Sequence, residues 1–132
     1  MLPVGAHLYG VSSLAEGADQ LFAAQVLAVG GVLEVILPCH DYVGSLVTDD
    51  GRARFAELRQ AAATVITLPF PKPSGEAFLA AGKALVERCD HLFAVWDGGP
   101  SRGVGGTGDV VAYARSLGRP VTVLWVDGVI RV

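Results

Sequence analysis

Apolar and polar positions along the chain switch repeatedly between two periods. Short runs rich in β-branched and apolar residues read as strands at "AHLYGV" (6–11), "VLEVILP" (32–38), "TVITLPF" (64–70), "HLFAVW" (91–96) and "VTVLWV" (121–126). Between them lie segments of helical spacing. Phe22, Val26 and Val29 mark a helix over 18–29, and Phe55, Leu58 and Ala62 one over 52–63. Phe78, Ala81 and Leu85 mark a helix over 75–88, and Val110, Ala114 and Leu117 one over 107–117. Punctuation agrees with this reading. Gly30-Gly31 and Gly118 with Pro120 stop two helices, and Ser74 caps a third.

Strands that alternate with single helices predict βαβ units with right-handed crossovers. The expected fold is α/β: a Rossmann-like, three-layer αβα arrangement with a mainly parallel sheet of about five strands. In such sheets ligands lie beyond the carboxyl ends of the strands. Two unusual loops, 12–18 and 97–108, fall at that end.

Composition narrows the class. A hydrophobic share of 52% with only 17% charged residues, over 132 residues, supports one folded domain and argues against disorder. Net charge is −3 and no basic stretch exists, which argues against a nucleic-acid partner. No signal-peptide pattern and no apolar run near about 18 residues is found, so neither export nor a membrane partner is expected. The expected location is the cytoplasm. Cys39 and Cys89 lack CxxC or Cys/His metal spacing and read as free thiols.

Candidate chemistry concentrates in "GVGGTGDVVAYARSLGRP" (103–120). Glycines directly before a helix leave backbone amides open at the positive end of its dipole, where an anion can approach without meeting a Cβ. Gly105, Gly106, Thr107 and Gly108 are therefore phosphate-binding candidates. Ser12 and Ser13 of the other loop are donors to phosphate or ribose, or turn residues. Asp97 and Asp109 suit ribose hydroxyls, and Asp109 also suits the helix dipole. Glu16 and Asp19 flank the first loop, and Asp19 also suits the cap of the helix that follows. His40, Asp41 and Tyr42 form a trio within reach of a ligand or a solvated loop. His7 and His91 stand at strand starts, away from the crevice. The loop lacks the Lys of a P-loop. Its Gly103-Val104-Gly105-Gly106-Thr107-Gly108 matches GxGxxG, but late in the chain rather than after the first strand, so nicotinamide chemistry is not supported. No metal site and no cofactor are expected.

The stretches "GVSSLAEGADQLFA", "LEVILP", "CDHLFAVWDG" and "GVGGTGDVVAYARSLGRPV" together resemble the SLOG superfamily of Rossmann-like nucleotide-binding domains, which includes the "lonely guy" phosphoribohydrolases long called lysine decarboxylases. The resemblance spans nearly the whole chain and implies a nucleotide or nucleotide-derived ligand in the crevice between the two loops. Two departures matter. The hydrolases carry PGGxGTxxE, whose Glu is catalytic; here Gly106-Thr107 match the GT, but Val110 stands at the Glu position and Asp109 lies one step away as the candidate acid. The hydrolases' helix Arg has no counterpart, Lys83 being nearby but displaced. Relatives also begin with one more strand and helix. The resemblance thus implies a non-catalytic sensor or regulatory domain spanning 1–132, with nucleoside 5′-monophosphate phosphoribohydrolase as the alternative. A sheet missing an inner strand leaves unpaired backbone, which predicts a homodimer.

Overall fold

A computed structural model of the chain describes residues 8–95, 98 and 106–124. The described elements run β1 (Tyr9–Ser12), α1 (Ala18–Ala28), β2 (Val32–Leu37), α2 (Asp49–Ala61), β3 (Thr64–Thr67), α3 (Gly75–Arg88), β4 (Leu92–Val95), α4 (Thr107–Ser116) and β5 (Val121–Leu124). The alternation read from hydrophobic periodicity is therefore present, and the fold class is α/β. A 3₁₀ turn at Val43–Ser45 interrupts the loop between β2 and α2.

All strand pairing is parallel, but the strands do not form one sheet. Among the described residues β1, β2 and β3 make a three-stranded sheet in that order, and β4 pairs with β5. The registers are Tyr9 with Val32, Glu34 with Thr64, and Leu92 with Val121. A single sheet of about five strands is thus corrected to sheets of three and two. The physical reason is that β1 and β4 do not exchange backbone hydrogen bonds; residues of both strands instead line a common cavity.

Helices cover both faces of the larger sheet. Leu33, Val35 and Leu37 of β2 share one face and pack with Ala23 of α1 and with Phe55 and Leu58 of α2. Glu34 points to the opposite face, where its carboxylate accepts a hydrogen bond from Arg88 of α3 at 3.0 Å. A second core joins Val86 of α3, Leu92 and Ala94 of β4, and Val111 and Ala114 of α4. The other face of β4 carries Phe93 and Val95, 54% and 47% exposed.

Local chemistry sets the helix starts. Thr48 accepts from the Gly51 amide at 2.9 Å, and Ser74 from the Ala77 amide at 3.0 Å, as expected for Ser74. Three apolar stripes are shifted from those expected. In α1 the buried residues are Gln20, Ala23 and Val26, while Phe22 and Val29 are exposed. In α3 they are Ala77, Ala81 and Val86, with Phe78 at the rim. In α4 Val111 and Ala114 are buried, Val110 is half-buried and Leu117 is exposed. Small residues explain the shifts. A Cβ on Gly10 of β1 would stand 2.5 Å from Val26 Cγ2, and one on Gly82 of α3 would stand 2.5 Å from Val110 Cγ2. Elements approach most closely where side chains are small, so the small face turns inward.

No helix among the described residues is long and apolar enough to cross a membrane. Cys39 is buried, Cys89 is partly buried, and both are free thiols.

Candidate functional site

A cavity of about 1480 Å³ lies between β1 and β4 and runs along both strands, from Tyr9 and His91 at their starts to Ser12 and Val95 at their carboxyl ends. Its polar wall comes from the loop between β1 and α1, and residues of α3, α4 and β4 supply much of the apolar remainder.

The β1–α1 loop is held in an unusual shape. Leu14 adopts φ +58° although it is a bulky residue and fully buried. Left-handed backbone is rare for such a side chain and persists only where the surroundings impose it. Here they do. The Leu14 amide donates to Ser12 Oγ at 3.0 Å, and its carbonyl accepts from Gln20 Nε2 at 3.2 Å. The same Gln20 amide group donates to the Gly51 carbonyl at 3.0 Å, tying the loop to α2. Glu16 makes a second tie. Its Oε1 accepts from the Val47 and Thr48 amides, and its Oε2 accepts from the Thr48 hydroxyl at 2.8 Å. The Thr48 hydroxyl, helped by these amides, holds the Glu16 carboxyl below its ordinary range.

Asp19 sits in the first turn of α1 and lines the cavity. It is not the N-cap, which is Gly17; instead its Oδ2 accepts from the Ala15 amide at 3.4 Å. Burial pushes its carboxyl pKa up, against the opposing pull of that amide. Tyr42 lies alongside. It is buried against Phe55, with ring centroids 5.9 Å apart, and burial followed by the charge of Asp19 raises its hydroxyl pKa. Of the trio His40, Asp41 and Tyr42, only Tyr42 turns inward; the other two are exposed.

Three of the expected binding residues meet in this cavity: Ser12, Ser13 and Thr107. Ser12 is buried, and its hydroxyl accepts from Leu14 while donating to the Asp19 carbonyl at 3.4 Å. Thr107 is the first residue of α4, after Gly106 as N-cap. The amides of Asp109 and Val110 donate back to the Gly106 carbonyl, at 3.1 and 3.3 Å. Those of Thr107 and Gly108 have no acceptor among the described residues, as expected for the first turn of a helix. Gly108 and Asp109 lie in that turn without lining the cavity. Gly105 and Asp97 lie outside the described residues. His91, expected to stand away from the crevice, lines the cavity at the start of β4, where it stacks on Phe93 at 4.6 Å and meets the Thr122 hydroxyl at 2.6 Å.

Sequence reasoning missed the loop's fastening. Gln20 occupies what looks like an ordinary polar helix position, and only its long-range bond to Gly51 reveals its role. Tyr42 carried a weak signal, an aromatic residue within a polar loop.

Fold and site together define an α/β protein with a large crevice where two small parallel sheets meet. No protein-family model matches the chain, and no curated protein matches it.

Proposed function

We propose that the chain is a nucleotide-binding domain of sensor or regulatory type, of the Rossmann-like kind its glycine loop resembles. A single observation carries this reading: Thr107 at the amino end of α4, Ser13 of the β1–α1 loop and Asp19 in the first turn of α1 border one cavity between β1 and β4. That cavity combines donors suited to an anion, acceptors suited to hydroxyls and an apolar remainder suited to a base. At about 1480 Å³ it exceeds the roughly 300–1,000 Å³ of most small-molecule pockets, so it has room for a nucleotide or a larger derivative.

Binding without turnover is favoured over N-glycosidic hydrolysis. Val110, at the position of the hydrolases' Glu, packs against Gly82 and the core between α3 and α4. Asp109 does not border the cavity.

Thermal denaturation with a panel of nucleoside monophosphates, diphosphates and ADP-ribose tests the reading. At least one is expected to raise the melting temperature without release of free base. Release of base and ribose 5-phosphate selects the hydrolase instead, and no shift with any of them rejects nucleotide binding. Gly106→Val should abolish the shift while the variant stays folded. Gly106 has φ −71° and ψ 172°, which valine can adopt, so no backbone strain opposes the added side chain beside the amides.

A further inference from the structure

The ligand can be oriented within the crevice, on the premise that a nucleotide binds there. The β1–α1 wall holds two carboxylates, and their commitments differ. Glu16 is spent on α2: both of its oxygens accept from Val47 or Thr48. Ser12 has given its proton to the Asp19 carbonyl. Asp19 uses only Oδ2, toward Ala15, and its Oδ1 has no hydrogen-bond donor among the described residues. A carboxylate offers acceptors only. This wall therefore repels phosphate and matches hydroxyl groups. The α4 wall is the reverse, presenting the Thr107 amide and hydroxyl near the positive end of a helix dipole.

We infer that Asp19 is the residue that reads the ligand's sugar, its Oδ1 accepting from the vicinal ribose hydroxyls while the phosphate lies across the cavity at the start of α4. This assigns the sugar contact to Asp19 rather than to Asp109, which the cavity does not reach, and it withdraws the β1–α1 loop as a phosphate seat. Partial burial supports the role, because a carboxyl whose charged form is poorly solvated gains most from hydroxyl donors. The ligand class that follows is a ribonucleotide with free 2′- and 3′-hydroxyls, not its deoxy counterpart.

Calorimetric titration of wild type and Asp19→Asn with AMP, GMP, UMP and CMP, each beside its 2′,3′-dideoxy form, decides the matter. A hydrogen bond to a charged group is worth enough for about tenfold in affinity. Wild type should therefore bind at least one ribonucleotide about tenfold more tightly than the dideoxy form, and Asp19→Asn should erase that difference while leaving dideoxy binding unchanged. Asparagine keeps an oxygen for the Ala15 amide, so the loop should hold. Equal affinity of wild type for ribo and dideoxy forms, or equal weakening of both by the substitution, overturns this inference and leaves nucleotide binding standing. Failure of all eight compounds, and of the diphosphates and ADP-ribose of the thermal panel, to bind wild type removes both.

Discussion

Asp19 illustrates how one residue can carry opposite consequences for stability and for binding. Burial raises its carboxyl pKa above the unfolded value. Between those two values the native chain holds more protons than the unfolded chain, so stability declines as pH rises through them. At neutral pH the ionised carboxylate is a net cost, which the neutral amide of Asp19→Asn avoids. The variant is expected to melt no lower than wild type at pH 7, and any advantage should shrink as pH falls through the ordinary carboxylate range near about 4. Melting curves followed by circular dichroism across this range check it; a variant that melts lower at pH 7 contradicts the assignment. A binding residue kept at some expense to folding is the usual pattern at functional sites. Leu14 belongs to the same pattern, since its left-handed backbone is sustained by Ser12 and Gln20.

Among the elements, the contact between α3 and α4 bears most directly on function. Gly82 lets Val110 approach so closely that a Cβ would stand 2.5 Å from its Cγ2. Gly82→Val should therefore overpack this crossing and cost about 1–3 kcal/mol. Adding Val110→Ala should recover part of the loss, a coupling that urea unfolding of the two single variants and the double variant measures. Additive effects would show that the two side chains do not share the contact. The same tight packing explains why α1 turns Ala23 and Val26 inward and leaves Phe22 to meet Phe93 of β4 at 6.4 Å. Hydrophobic periodicity located all four described helices and the buried face of α2, yet it misjudged the face that α1, α3 and α4 bury. Bulk was read as burial, whereas Gly10 and Gly82 make the small faces the ones that fit.

For the whole molecule, β1 and β4 each present an edge without a strand partner on one side among the described residues, and apolar surface gathers near these edges. Tyr9 is 60% exposed and Phe93 54%, with Leu21, Val95 and Leu124 also exposed. All five residues also line the cavity between β1 and β4, and we propose that two copies pair along its open side, so that the partner closes the cavity rather than filling it. Light scattering should give twice the mass of one chain, and Phe93→Asp should return it to the single-chain mass. A wild-type protein that scatters as one chain over the micromolar range would rule pairing out.

Local pattern sufficed for the α/β alternation and the Ser74 cap, because each depends on neighbours within a few residues, and the parallel sense of pairing followed from single-helix crossovers between successive strands. Tertiary structure alone decided that five strands divide into three and two. It also decided that Gln20 and Glu16 fasten the β1–α1 loop to α2, and that Asp19, not Asp109, borders the cavity. Those outcomes depend on contacts between residues some thirty positions apart or more, or on which face of a helix meets a strand, and periodicity along a chain holds no record of either.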